Sequence, residues 1–362
     1  MKKRKFKAVK RILPIISIVT VVPLTWNYFL KKRELNKVQS AYGKELEIAG
    51  LKMVVDVKAR GNEPTIILLP GWGSASPVLE FLPLAKALAE NFCVITIEPF
   101  GYGLSDGNTT EREISTIVEE LHECTQKLGC EEYYLMAHSI SGLYSLYWAN
   151  EYSQEVKGFI GIDPSVPKQS AQEPFLVSVE TLNKLSAYLQ QIKNIFGITR
   201  LKSIRKPQKA VYADNSYVYT KEELSVFRIL SMDFVNNKTV MNELDCMEAN
   251  LEVVREMKFP KDIPVLQFVS GDNCELMEVW EQLHREVITE TDKSEVLRLD
   301  GGHYLHYERK QEIIEKVKEW IQKVERTVSV FKEKCETEGI FITYVAGDNR
   351  GNEQSAITIE YY

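Results

Sequence analysis

The residue best placed for covalent chemistry in this 362-residue chain is Ser139. It lies in Tyr133-Tyr134-Leu135-Met136-Ala137-His138-Ser139-Ile140-Ser141-Gly142, an apolar strand-like run that passes through small-x-Ser-x-small into a helical pattern. A turn of this kind lifts a serine hydroxyl clear of the sheet, and its neighbours must be small so that the strained backbone clears the strand and the helix. Ala137 and Ser141 stand where glycines are usual, and both are small enough. A neutral hydroxyl attacks a carbonyl poorly, so an imidazole within hydrogen-bond reach must take its proton and later return it to the leaving group. The chain offers five histidines: His122, His138, His284, His303 and His306. His122 and His284 fall on helical patterns and are expected at the surface. His138 adjoins the serine, yet a turn of this type sends adjacent side chains apart. The same pattern also fits an ordinary loop serine, so the surrounding elements must decide.

Those elements alternate. Leu46 to Ala59 partly alternates apolar and polar residues, as two short antiparallel strands would. Thr65-Ile66-Ile67-Leu68-Leu69 and Cys93-Val94-Ile95-Thr96-Ile97 are continuous apolar runs that end at glycine-rich turns, the pattern of parallel strands buried on both faces. Further strands are expected at Tyr133 to Met136, Gly158 to Ile162, Val265 to Val269 and Val296 to Leu299. Helical periods cover Val78 to Ala89, the Ile114 to Leu128 segment, and a closing helix with Ile313, Ile314, Val317, Trp320, Ile321 and Val324 on one side. Strand, helix, strand, helix predicts an α/β fold with a mostly parallel, doubly wound sheet of about eight strands. The stretch between Asp163 and Pro264 is too long for a strand-to-helix connection and predicts a helical cap insert at about 165–258. The main domain is expected over 44–326, and residues 327–362 form an extension with two β-rich runs that suit a hairpin.

Composition narrows the classes. With 44% hydrophobic and 27% charged residues the chain is a folding, globular sequence, and a net charge of −6 gives no footprint for nucleic acid. Six cysteines are too few for a disulfide scaffold, and no Cys or His pattern has metal-ligand spacing, so no metal and no cofactor are expected. The charge is uneven: eleven of the basic residues and one acidic residue, Glu34, lie within residues 1–37. Lys2, Lys3, Arg4, Lys5, Lys7, Lys10 and Arg11 precede an uncharged run over residues 12–30, and Lys31, Lys32 and Arg33 close it. Nineteen helical residues at about 1.5 Å each cover most of a hydrocarbon layer of roughly 30 Å. The reading is a basic cytoplasmic segment and a single-pass signal anchor at 12–30, with the body at the cell membrane and on its outer side. No small-residue cleavage site follows the run, which disfavours a cleaved signal peptide, and a buried or surface helix is the other alternative.

From about Leu46 to Val324 the chain resembles the α/β-hydrolase family. The resemblance rests on Pro70-Gly71-Trp72-Gly73, Pro99-Phe100-Gly101-Tyr102-Gly103-Leu104-Ser105-Asp106, the turn at Ser139, and Gly301-Gly302-His303-Tyr304-Leu305-His306, in that order. It implies that Ser139 is the nucleophile, that His303 is its general base with His306 the nearer rival, and that the backbone N–H groups of Trp72 and Ile140 form an oxyanion hole. For the acid, it leaves two places open. One is the turn after the Pro264 to Val269 strand, where Asn273 falls at the usual position, Asp272 one residue early and Glu275 two residues later. The other is the end of the preceding strand, where Asp163 stands in Gly161-Ile162-Asp163-Pro164.

A serine at the turn sets this chain apart from family members that open epoxides or displace halide with an aspartate. The expected activity is hydrolysis of an ester or related acyl bond of a small, partly apolar substrate under an apolar lid drawn from Phe175, Leu176, Tyr188, Ile192, Phe196, Tyr212, Tyr217, Tyr219, Phe227 and Phe234. Two other readings stay open. One is a proline-releasing aminopeptidase, which would use cap acids among Glu173, Glu180, Glu222, Glu223 and Glu243 to hold an amine. The other is a binding module of the same fold without catalysis.

Overall fold

The computed structural model describes residues 20–34, 36–38, 41–169, 179–205, 214, 216–233, 237–290, 292–337, 340–344 and 357–361. One eight-stranded sheet organises residues up to 314. Its strands are β1 (Lys44–Ile48), β2 (Leu51–Lys58), β3 (Thr65–Leu69), β4 (Cys93–Glu98), β5 (Tyr133–His138), β6 (Val156–Ile162), β7 (Val265–Ser270) and β8 (Glu295–Leu299), in the spatial order β1-β2-β4-β3-β5-β6-β7-β8. β1 and β2 form the antiparallel entry and β2 also runs antiparallel to β4. From β4 to β8 every pairing is parallel.

The apolar runs explain that arrangement. β3, β4, β5 and β7 are buried at every position, which a strand covered by helices on both faces requires. Ile114–Leu128 shows how the helices meet the sheet. Ile117, Val118, Leu121, Cys124 and Leu128 repeat at three-to-four spacing and enter the main core, and Gly129 closes the helix with φ +75°. Its N-terminus takes its cap from elsewhere: the Asn250 amide oxygen accepts from Ile114 N at 2.8 Å while its Nδ2 donates to Arg112 O at 3.0 Å.

Among the described residues, the long connection between β6 and β7 carries five helices, Val179–Ile195, Ile198–Arg205, Lys221–Asp233, Lys238–Asp245 and Met247–Val254. Of the residues expected to form an apolar lid, Tyr219 and Phe227 are buried with Leu79 and Leu82, whereas Tyr188 and Ile192 face outward. Phe175, Leu176, Tyr212 and Phe234 lie outside the described residues.

The N-terminal segment departs from expectation. Residues 1–19 lie outside the described residues, so only the second half of the expected anchor can be placed. That half belongs to a helix over residues 20–34, and among the described residues no helix is long and apolar enough to cross a membrane. Asn27 is buried there, its amide donates to Asn194 O at 2.8 Å and Ile195 O at 3.1 Å, and Arg200 Nε donates to its Oδ1 at 2.8 Å. Glu34 pairs with Arg200 and Arg228. A helix engaged this way with the cap uses its polar groups on protein, and the anchor finds no support in it. Residues 315–362 form a second compact unit. It holds most of the helix Lys310–Thr337 and an antiparallel pair, Ile340–Tyr344 with Ile357–Tyr361.

At the end of β4, Glu98 is fully buried. Its Oε1 accepts from Tyr42 at 2.9 Å and its Oε2 from Leu104 N at 2.7 Å. Burial outweighs these donors and pushes the carboxyl up from 4.5 to about 7. Because the folded value exceeds the unfolded one, the stabilisation is complete below pH 4.5 and is lost as pH rises through about 7. The unfolding free energy of the wild type relative to Glu98→Gln, measured by urea denaturation, should therefore fall by about 3 kcal/mol between roughly pH 4.5 and pH 8. A difference independent of pH would refute this.

Candidate active site

Ser139 follows β5 directly and takes up φ +54°, a left-handed conformation uncommon for a residue with a side chain. The turn is held from both sides: Ser139 N donates to Ile162 O at 3.4 Å, and Ser139 O accepts from Gly142 N at 2.8 Å and Ser165 N at 2.7 Å. Gly142 is needed there, since a Cβ would stand 2.5 Å from Pro164 Cβ and 2.7 Å from Ser165 O. Ile140 then opens the helix Ser141–Glu151.

His303 comes after β8 and the Gly301-Gly302 turn. Its Nε2 is 2.9 Å from Ser139 Oγ and its Nδ1 is 2.6 Å from Asp163 Oδ2. Asp163 caps β6 with φ +42° and is completely buried. Its N–H donates to Phe268 O at 2.7 Å, while Ser270 N and Trp280 Nε1 donate to Oδ1 at 2.8 and 2.9 Å and Asn273 Nδ2 donates to Oδ2 at 2.6 Å. A carboxylate surrounded by donors accepts only, so the His303 proton belongs on Nδ1 and Nε2 presents a lone pair to the serine hydroxyl.

Of the two acids left open by the sequence, Asp163 is the one brought to His303. Asp272 is exposed in the first turn of the short helix Gly271–Leu276, with its N–H donating to Gly301 O at 3.2 Å, and Glu275 is exposed beside Arg298. Asn273, at the position where the resemblance places a carboxylate, instead donates to Asp163.

The turn at Pro70-Gly71-Trp72 lies against the serine. A Cβ on Gly71 would come within 3.1 Å of Ser139 Cβ and 2.6 Å of His138 Nδ1. Ser141 Oγ donates to Pro70 O at 2.5 Å and ties the two turns together. Neither Trp72 N–H nor Ile140 N–H donates to another described group. The Trp72 indole is turned to the cap, where Nε1 donates to Val240 O at 3.0 Å.

One histidine differs from its sequence-based description, and two more gather beside the site. His284, expected at the surface, is completely buried, with Nδ1 2.7 Å from Trp280 O and Nε2 2.9 Å from Pro164 O. Burial moves it below the ordinary histidine range. His138 and His306 are both buried close to the site, and the His138 ring centroid is 4.6 Å from that of His303. Burial first, then the charges of His303 and His306, hold His138 well below its ordinary value. With Glu80 these two form the group whose ligand atoms lie within 4.8 Å of one another, the metal-capable cluster among the described residues. No spacing rule exposes it, because its members come from three distant segments.

The comparisons with known proteins agree with this architecture. The model of the alpha/beta hydrolase fold family matches residues 64–310. The uncharacterised protein YbdG of Bacillus subtilis (strain 168) is 25% identical over 256 residues, covering 70% of this chain and 75% of that protein. A putative carbamate hydrolase, RutD of Agrobacterium fabrum, is 33% identical over 84 residues, 23% of this chain and 31% of its own length. Among solved structures, a putative alpha/beta hydrolase from Nostoc sp. PCC 7120 aligns with a TM-score of 0.60 at 17% identity, over 77% of this chain and 97% of its own. A haloalkane dehalogenase loop variant from Bradyrhizobium elkanii aligns with a TM-score of 0.55 at 16% identity, over 79% and 98%. With a parallel sheet that delivers a serine, a histidine and an aspartate from three separate strand ends, this chain belongs to the alpha/beta hydrolase fold family.

Proposed function

We propose that the protein is a serine hydrolase that cleaves an ester or related acyl bond of a small, partly apolar substrate through an acyl-enzyme. The observation that carries this reading is the continuous chain Ser139 Oγ, His303 and Asp163, at 2.9 and 2.6 Å. Nε2 of His303 takes the proton as Oγ attacks the carbonyl carbon, and Asp163 stabilises the imidazolium that results. The N–H groups of Trp72 and Ile140 receive the negative charge on the carbonyl oxygen. His303 then protonates the leaving group, and the cycle repeats with water against the acyl-serine. In support, the names of two partial relatives describe a carbamate hydrolase and a 2-(acetamidomethylene)succinate hydrolase.

Among the cap acids that could hold a substrate amine, Glu243 is already engaged. It is buried, with Oε2 accepting from Tyr102 at 2.8 Å and Oε1 from Tyr144 at 2.6 Å. Glu223 accepts from Thr220 N, and Glu222 is exposed at the start of the helix Lys221–Asp233. Glu173 lies outside the described residues, as does the side chain of Glu180. This favours an acyl substrate without an amine over the aminopeptidase reading.

A fluorophosphonate probe should label the wild type covalently and leave Ser139→Ala unlabelled; an unlabelled wild type with intact fold would sink the reading. The wild type should also turn over short p-nitrophenyl esters in preference to aminoacyl anilides. Asp163→Asn should lower kcat on such esters by roughly three to four orders of magnitude, because the imidazole loses its orienting acceptor. Asp272→Asn, whose exposed carboxylate makes no hydrogen bond to His303 among the described contacts, should stay within about twofold of wild type; equal loss in both variants would contradict the assignment of the acid.

A further inference from the structure

We infer that Glu80, His138 and His306 form a binding site for one divalent transition-metal ion, with Zn²⁺ the ion that this donor set suits. The three side chains are 6%, 1% and 1% exposed, and their ligand atoms lie within 4.8 Å of one another. Two imidazoles and a carboxylate are a known class of zinc donor set, neutral nitrogen and anionic oxygen together.

The nitrogens are prepared for such an ion. His138 Nε2 is 3.0 Å from the backbone carbonyl of His303, which only accepts, so Nε2 bears the proton and Nδ1 keeps a bare lone pair. That Nδ1 is buried without a hydrogen-bond partner, as are both ring nitrogens of His306. A ligating histidine whose second nitrogen donates to a carbonyl is the usual outer support of a metal site. Glu80 has the matching arrangement: Ser74 Oγ donates to Oε2, and Oε1 stands 3.4 Å from His306 Nε2. Two atoms bound to one tetrahedral ion at about 2.0–2.1 Å stand roughly 3.4 Å apart. The separation of Oε1 and Nε2 is therefore that of two ligands on one ion. The third donor, from His138, lies within 4.8 Å of both. The rival occupant is an ordered water, which would also satisfy orphaned ring nitrogens.

The site is separate from the Ser139, His303 and Asp163 chain and shares no ligand with it. It touches that chain through His138, whose N–H holds the His303 carbonyl, so an ion on Nδ1 would pin the backbone of His303.

The full chain, stripped with a chelator and desalted, should be titrated with Zn²⁺ alone. One zinc per chain is expected to survive gel filtration, with a rise in Tm that follows zinc concentration. Glu80→Gln and His306→Gln should each bind at least tenfold more weakly, while His303→Gln should retain zinc within twofold of wild type. X-ray absorption of the zinc-loaded wild type should show only nitrogen and oxygen neighbours with imidazole scattering, a measurement that stands even where a variant does not fold. Absence of retained zinc, which would leave water as the occupant, or a sulfur shell from the free cysteines, or folded Glu80→Gln and His306→Gln proteins that bind as tightly as wild type, would overturn the site.

Discussion

The hydrogen bond between Asp163 and His303 is the constraint on which the rest of the site depends. An imidazole can present a bare nitrogen to a serine only if its proton is fixed on the other side, and a buried carboxylate is the strongest acceptor for fixing it. Burying that carboxylate is costly unless its lone pairs are filled. The fold fills them from three segments: Ser270 at the end of β7, Asn273 in the helix that follows, and Trp280 in the next helix. His284, one helical turn beyond Trp280, reaches the carbonyl of Pro164 and so holds the residue after the acid. The strained φ of Asp163 is then imposed by many bonds at once, which is how such a conformation persists.

The position of Asp163 just after β6 also fits the rest of the topology. Ser139 follows β5 and Asp163 follows β6, neighbours in parallel register with His138 paired to Ile162. Ser139 and Asp163 therefore emerge side by side from one edge of the sheet, and His303, arriving after β8, bridges them. A parallel sheet gathers its strand ends on one edge, so groups distant in sequence meet without long loops. The cap is fastened above this edge by buried polar bonds as well as by apolar contact. The carboxyl of Glu243 joins Tyr102 and Tyr144, Trp72 Nε1 reaches Val240 O, and Thr239 Oγ1 both accepts from Asn108 N and donates to Asn108 O.

Much of this was legible in the sequence where periodicity or motif carried it. Continuous apolar runs gave the parallel strands, and the mostly parallel sheet of about eight strands follows from them. The turn at Ser139 could be read because a strand, small residues and a helix stand in one short window. The partner of His303 could not, since Asp163 follows one strand, Asp272 lies in the turn after another, and only packing distinguishes them. Asn273 occupies the expected position with an amide, whose donor complements a carboxylate placed elsewhere. His284 lies on a helical pattern that suggests a surface position, yet its ring is buried between Trp280 O and Pro164 O. His138 packs against His303 and stands with Glu80 and His306, whose positions in the chain give no hint of nearness. The uncharged run after the basic N-terminus matched a membrane span by length alone. Length does not reveal that Asn27 in its second half would find partners on the cap.

The two substitutions in the nucleophile turn show how a departure from a motif can be neutral or useful. Glycine is usual at 137 and 141 because a large side chain would collide with the sheet or the helix. Ala137 sits in β5 with a side chain no larger than a methyl group. Ser141 adds a hydroxyl that glycine lacks, and it donates to the carbonyl of Pro70. The demand for a missing Cβ has moved one residue on, to Gly142, where Pro164 and Ser165 press against the helix. The bond from Ser141 joins the turn that bears Ser139 and Ile140 to the turn that bears Trp72. In the proposed mechanism the two N–H groups thus lie on turns linked by the side chain that replaces the glycine, and donors held before reaction need no reorganisation as charge develops.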